Sequence, residues 1–399
     1  MELIISILIL LASSIIVGAI FERFGLPEVV GQILSGVIIG PAVFGIVQPS
    51  DSLSAISEMA LFFIVLLLGL EVTSKTLTSH SSKSLALSVN SFIIPAIAMF
   101  VISYLFFGIP LAPAIIVSIG IAVPSISIVS VLLTHYSLLG TEDGDKLLSS
   151  VVISDMLAFI TLAAVYDSFN PYLILLLVMI ITVFIISILL TAGLLRRHYR
   201  GVNRFFADLN KKKNGETTIF AIIIILGLII SSFLQVIGIT FVLGAFFSGM
   251  LIEEFIVGKA VFRTLVRTFR RINTSFFIPL FFSIAGLAIQ LPGFDYIIIL
   301  VALVLTSALF SSLFINSLSK RSFKSLKPES AMSILGGRGA VGVVIATVAL
   351  SEGLINIPIY SIIIFGTIIL SLTFPVFVKP KFKTKHNEPQ RRMRTNSAT

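Results

Sequence analysis

The chain contains no cysteine in 399 residues. A disulfide framework, thiol chemistry and Cys-ligated metals are therefore excluded. Charge is also scarce, at 12% of residues, where a soluble protein carries about one-quarter. This excludes a water-soluble enzyme, a disordered chain and a nucleic-acid-binding module. Histidine is nearly absent. The four that occur, His80, His135, His198 and His386, are expected in connections or the tail, and no two share helical ligand spacing. An intramembrane enzyme would need a nucleophile–base pair or metal ligands at depth. The chain is accordingly read as a non-enzyme without a cofactor.

Apolar residues make up 57% of the chain, and the mean hydropathy is +1.10. Runs of about 20 apolar residues are the mark of membrane-spanning helices. Thirteen apolar segments are read: 3–20, 29–46, 56–74, 85–107, 112–133, 147–166, 171–195, 217–238, 240–256, 272–291, 294–318, 329–350 and 357–380. The fold class expected is an all-α polytopic membrane protein. The first segment lacks a basic flank before it and is read as a retained anchor.

The basic residues orient these segments. Of 28 Lys and Arg, 27 fall in the odd-numbered connections or in the tail, and the even connections hold none. Under the positive-inside rule the odd side is cytoplasmic, the N-terminus outside and the C-terminus inside. The net charge of +9 is cytoplasmic anchoring. The stretch 257–271 spaces Lys259, Arg263, Arg267 and Arg270 along one helical face, and is expected on the inner surface against lipid phosphates. The tail 381–399 is polar and basic, and is expected to be disordered.

An internal repeat is legible. Gly31 to Gly36 (GQILSG) aligns with Gly244 to Gly249 (GAFFSG), and Gly69-Leu70 aligns with Gly286-Leu287. Segments five and twelve are interrupted at matching places, by Pro124 and by Gly336, Gly337 and Gly339. Partners lie seven segments apart, and an odd separation inverts one copy relative to the other. Repeat one is set at about 29–166, a linker helix at 171–195 and repeat two at about 240–380. Paired broken segments in two inverted halves point to a transporter's substrate site.

Three charges lie where hydrocarbon should be: Asp155 in the middle of segment six, Arg338 in the middle of segment twelve, and Glu71 deep in segment three. A charge at the bilayer centre costs at least about 3 kcal/mol, so such residues face partners or water-filled cavities. Burial disfavours a bare carboxylate, so Asp155 is suited to carrying either a proton or a small cation. Oxygens of Ser154, Ser125 and Ser127 are candidate co-ligands. Arginine keeps its proton. Arg338 is therefore read as balancing Glu71 or Asp155, or as donating to carbonyls freed at the break. Glu71 is read as its structural partner.

These residues resemble the cation:proton antiporter superfamily in its Kef-like and NapA-like branch. FERFGLPEVVGQILSGVIIGP (21–41) is similar to that branch's opening signature. LFFIVLLLGLEV (61–72), LGAFFSGMLI (243–252), FIPLFFSIAGL (277–287) and GGRGAVGVVIATVAL (336–350) are similar to its later ones. The resemblance implies two inverted five-helix repeats with crossed discontinuous helices (an NhaA-like fold), a homodimer in the plasma membrane, and exchange of a monovalent cation for H⁺. By position, Asp155 matches the ion-binding aspartate, Pro124-Ser125 the first break, Arg338 the arginine of the second break and Glu71 the glutamate that pairs with it. The pair at segment six is Ser154-Asp155 rather than Asp-Asp or Asn-Asp, and segment eleven has no lysine. One cation, Na⁺ first, is therefore expected per proton. The alternatives are a K⁺/H⁺ antiporter, a K⁺ efflux system or a sodium-coupled symporter on the same fold.

Overall fold

The computed structural model describes residues 2–71, 81–135, 138, 141–166, 208–209, 214–236, 241–252, 254–290, 293–322, 331 and 334–377. The expected linker helix 171–195, the basic run from Arg196 to Lys213 and the tail 381–399 lie outside them. In lipid every backbone polar group must be satisfied within its own segment. The described residues are accordingly helical, and their β pairing is one isolated antiparallel bridge, between Pro124 and Arg338.

Among the described residues, six helical stretches are long and apolar enough to cross a membrane: Leu3–Arg23, Asp51–Glu71, Ser84–Phe106, Glu142–Val165, Gly215–Val236 and Phe294–Ser311. In chain order the helices begin with α1 (Glu2–Arg23), α2 (Glu28–Ile39), α3 (Asp51–Glu71), α4 (Ser81–Ser88) and α5 (Ile94–Val101). Then come α6 (Leu111–Ala122), α7 (Ile126–His135), α8 (Glu142–Tyr166), α9 (Gly215–Val236) and α10 (Phe241–Leu251). The short α11 (Glu254–Val257) precedes α12 (Lys259–Ile272), α13 (Ile278–Leu287), α14 (Phe294–Ser322), α15 (Ala340–Ser351) and α16 (Ile357–Phe377). His135 is the last residue of α7 rather than a loop residue.

Several segments are shorter as helices than their apolar runs. The run 29–46 yields α2, which stops at Ile39 because Gly40 is extended (φ −73°, ψ −178°) and Pro41 has no N–H to offer. The run 240–256 yields α10, whose 11 described residues end at Leu251, and then the short α11. These short helices are packed inside protein, where broken backbone is tolerated.

Glycines allow them to cross at backbone contact. A Cβ on Gly36 of α2 would overlap the carbonyl oxygen of Ser283 and lie 3.0 Å from the Cα of Gly286 in α13. A Cβ on Gly69 of α3 would overlap the carbonyl oxygen of Phe246 and lie 3.0 Å from the Cα of Gly249 in α10. Around these crossings, α1 packs on α2 and α9 on α10. A second group, α4 to α8 with α14, α15 and α16, packs around the two helix breaks. The groups meet where α10 lies on α8 and α13 on α15.

Prolines place local distortions. π-helical turns at Val89–Ile93 and Asn273–Phe277 each end two residues before a proline, Pro95 and Pro279. A proline supplies no N–H to the carbonyl four residues back. Pro95 therefore offers no N–H to the carbonyl of Ser91.

Candidate cation site

Two broken helices cross at the centre of the second group. The first break, at residues 123–125, separates α6 from α7, and the second, at 337–339, separates the helical residues 334–336 from α15. Pro124 removes a donor at one break, and Gly337 and Gly339 flank Arg338 without side chains at the other. The breaks bind each other: besides the Pro124–Arg338 bridge, the N–H of Ser125 donates to the carbonyl of Gly337 at 2.9 Å. Gly339 touches the side chain of Ser125 closely enough that a Cβ would collide with it, and a Cβ on Gly337 would lie 2.6 Å from Ile128. Gly336 is the last helical residue before the break. Pro124, Ser125, Gly337, Arg338 and Gly339 are thus one contact.

Asp155 is on α8, which packs against α6, α7 and α15, that is, against both broken helices. It is 3% exposed, and its Oδ1 has no hydrogen-bond partner. No ion pair joins it to Arg338. An isolated buried carboxylate is costly unless it is protonated or meets a cation. Ser154, next to it, turns to α4 instead: its hydroxyl donates to the carbonyl of Ser150 at 2.9 Å and lies 2.9 Å from Ser88 Oγ. Ser125 is 2% exposed at the crossing. Ser127 is in the first turn of α7, and its side chain lies outside the described residues.

Arg338 is fully buried, and its partners correct the expected pairing with Glu71. Its Nη2 donates to Ser311 Oγ at 2.8 Å and to Ser307 Oγ at 3.5 Å, both on α14. Its Nη1 donates to the carbonyl of Ser91 at 3.3 Å. None of the three roles read for it is seen as stated: it pairs with neither Glu71 nor Asp155, and its carbonyl acceptor, Ser91, lies in the fourth segment rather than at a break. Glu71 is the last described residue of α3, and its Oε1 pairs with Nη2 of Arg270 at 2.8 Å and with Nε at 3.1 Å. Arg270, expected at lipid phosphates, is thus bound to protein. The helix itself is amphipathic as expected: Val261, Phe262, Leu265 and Phe269 are buried, while Lys259, Arg263, Arg267 and Arg271 are exposed.

A cavity of about 290 Å³ leads to the crossing. It starts at the turn after α1, by Glu22, Gly25 and Pro27, passes Glu28 and Gln32, and ends at Ser125, Arg338 and Gly339. Glu28 precedes the second apolar segment. Partial burial raises its carboxyl above the usual range, the hydrogen bond from Gln32 opposes this, and the charge of Glu22 adds to it. On the far face, a separate cavity bounded by Pro41, Pro49, Leu287 and Ile357 touches none of the site residues.

Residues 9–383 match the family described as sodium/hydrogen exchanger, transmembrane. The chain belongs to this family. Sodium/hydrogen exchangers are multi-pass membrane transporters, not enzymes. Among similar proteins, the Na(+)/H(+)-K(+) antiporter GerN of Bacillus cereus is 26% identical over 96% of this chain and 97% of its own length. The Na(+)/H(+) antiporter of Enterococcus hirae is 25% identical over 95% and 98%. In fold, the chain matches the sodium proton antiporter MjNhaP1 of Methanocaldococcus jannaschii with a TM-score of 0.68 and 17% identity, covering 93% of this chain and 96% of that one. The fold is therefore that of a sodium/hydrogen exchanger.

Sequence reasoning missed the serines that cradle Arg338. Ser307 and Ser311 are four apart on one helix face, and Pro95 marks Ser91; neither signal names its partner. It also placed Lys146 in a connection. Lys146 is fully buried at the start of α8, 2.8 Å from Glu142 and 3.4 Å from Asp143.

Proposed function

We propose that this sodium/hydrogen exchanger family member is a secondary active antiporter that trades one monovalent cation, Na⁺ first, for one proton at Asp155. The observation that carries the reading is a buried carboxylate, unpaired at Oδ1, on the helix packed against both broken helices. A cation arriving at the site displaces the proton of Asp155, and a proton returning on the other side displaces the cation. Either load neutralises the carboxylate, and a neutral site is the one that crosses hydrocarbon at least cost. Because the same single charge is carried each way, the exchange is electroneutral. Ser125 is placed at the crossing to offer a further oxygen. Ser127 is kept as a co-ligand on the sequence reading alone, and Ser154 acts by holding α8 to α4.

The movement is alternating access, with α4 to α8 and α14 to α16 shifting against α1 to α3, α9, α10 and α13. The glycine crossings support two inverted repeats. If the second segment corresponds to the ninth and the third to the tenth, then the Gly36–Gly286 contact has its counterpart in Gly249–Gly69. The reading includes a homodimer in the plasma membrane with the α1–α2 turn inside. The cavity from that turn then reaches the helix crossing at Ser125 from the inside, and Asp155 is not on its walls.

The test is cation-driven proton flux in proteoliposomes carrying a pH dye. Flux in the wild type that disappears in Asp155→Asn sustains the proposal, and undiminished flux in the variant ends it. A K⁺/H⁺ antiporter is the second reading, favoured by the name of the Bacillus cereus relative. The same assay run with Na⁺, K⁺ and Li⁺ separates the two.

A further inference from the structure

We propose that α12 and the first turn of α9 form a headgroup site for an anionic phospholipid whose headgroup carries hydroxyls. The site does not depend on the antiport reading and shares no residue with it. Arg263, Arg267 and Arg271 stand on successive turns of α12, and all are exposed. Their basic neighbours are accounted for: Arg270 is held by Glu71, and Lys259 lies 3.8 Å from Glu254. Among the described residues the three arginines make no ion pair. Each is about 6 Å from the next along the helix axis, and like charges one turn apart repel. The other face of the helix is fixed by packing. The ring of Phe269 lies 4.3 Å from that of Phe220 in α9 and 6.4 Å from that of Phe63 in α3. The helix cannot turn to spread the charges, so their compensation comes from outside the protein.

A basic face by itself is served by water and salt. Two further observations point to lipid. The first is a pocket of about 200 Å³ beside the row. Glu216, Thr217 and Phe220 of α9 form one wall, and Thr264, Leu265 and Thr268 of α12 form the other. Arg267 and Arg271 follow Thr264 and Thr268 by three residues, which makes them neighbours on the helix surface. A phosphate held by these guanidinium groups has its alcohol substituent beside three hydroxyls and a carboxylate. Headgroup hydroxyls can donate to Glu216, whereas a headgroup carboxylate is repelled by it. The second observation is the level. On α9 the exposed residues are polar at Glu216, Thr217 and Thr218 and apolar further on, at Ala221, Ile225 and Ile229. α12 runs through the π-helical turn at Asn273–Phe277 into α13, and on it the exposed Arg270 and Arg271 give way to the exposed Ile272. Both changes mark the edge of the hydrocarbon, where basic side chains meet lipid phosphates and arginine binds them bidentately.

The experiment is native mass spectrometry of the purified full chain with phosphatidylglycerol and phosphatidylcholine in equal amounts, repeated with phosphatidylserine as the competitor. The wild type is expected to retain phosphatidylglycerol over both. Arg267→Gln and Arg271→Gln should each cut the preference over phosphatidylcholine about fivefold, as loss of one basic residue at a membrane surface does. Glu216→Gln should keep that preference and lose the discrimination against phosphatidylserine. Lys259→Gln removes the same charge from outside the pocket and should change little. No preference in the wild type, an unaltered preference in the arginine variants, or a loss as large in Lys259→Gln overturns the site. Should the double arginine variant not accumulate, the single variants carry the same expectation. A thermal melt in detergent separates lipid from a soluble anion. Phosphatidylglycerol should raise the wild-type midpoint more than that of Arg267→Gln, and an equal rise with inorganic phosphate alone would overturn the assignment to lipid.

Discussion

Two buried ionisable groups, Asp155 and Arg338, are held in different ways. Arg338 is 0% exposed and donates from its two Nη atoms to three oxygens, while its Nε, like Oδ1 of Asp155, has no partner. Asp155 has an oxygen with nothing to accept from. Each partner a buried charged donor does find stabilises it. Ser311→Ala should therefore lower stability by about 1–3 kcal/mol, because it leaves a buried charged donor short of a partner. A thermal melt in detergent would show it, and an unchanged midpoint would mean the cradle is not the anchor. Ser125→Ala tests the crossing oxygen. Apparent cation affinity in vesicles is expected to fall while the protein stays folded, and an unaltered half-saturation would remove Ser125 as a ligand.

At the level of elements, the breaks and the glycine crossings depend on each other. Helices as short as α2 and α10 reach only about 16–18 Å at 1.5 Å per residue. They sit inside protein only because Gly36 meets Gly286 and Gly69 meets Gly249 at backbone distance. Gly36→Val places a branched side chain against Ser283 and Gly286. It should cost about 1–3 kcal/mol through overpacking. The same change at Gly25, where the structure leaves open space, meets a different obstacle, its left-handed φ of 74°. Loss of folded Gly36→Val on size-exclusion chromatography is the expected result, and a monodisperse, active variant would show that the crossing tolerates separation. The glycine motifs were legible as a pattern, but their contacts were not. Gly36 was aligned with Gly249, yet it touches Gly286, because a repeat relates equivalent residues without bringing them together.

For the whole molecule, the natural absence of cysteine makes topology directly measurable. Ser50→Cys, in the second connection, should react with a membrane-impermeant maleimide from outside intact cells, and Ser397→Cys in the tail only after lysis. The reverse pattern would invert the orientation and with it the direction of the cavity. The proposed alternating access would add a state in which the Ser125 crossing is reached from the Pro41–Pro49 side. Single cysteines at Ala42 and Thr274 should therefore exchange reactivity as cation is added, and fixed reactivity at both would count against movement.

Much of this was set by composition and order alone. Scarce charge and recurring apolar runs leave helices in a bilayer as the available structure, because lipid cannot satisfy an exposed backbone. The segregation of basic residues supplies an orientation, and Asp155 stands out because charge in hydrocarbon is expensive. Pairing was decided only in three dimensions. Glu71 finds Arg270, Arg338 finds serines from α14 and the carbonyl of Ser91, and Ser154 turns to Ser88. Those choices depend on which helix lies beside which and on the rotation of each about its axis. Hydrophobic pattern constrains such rotation weakly when every face is apolar.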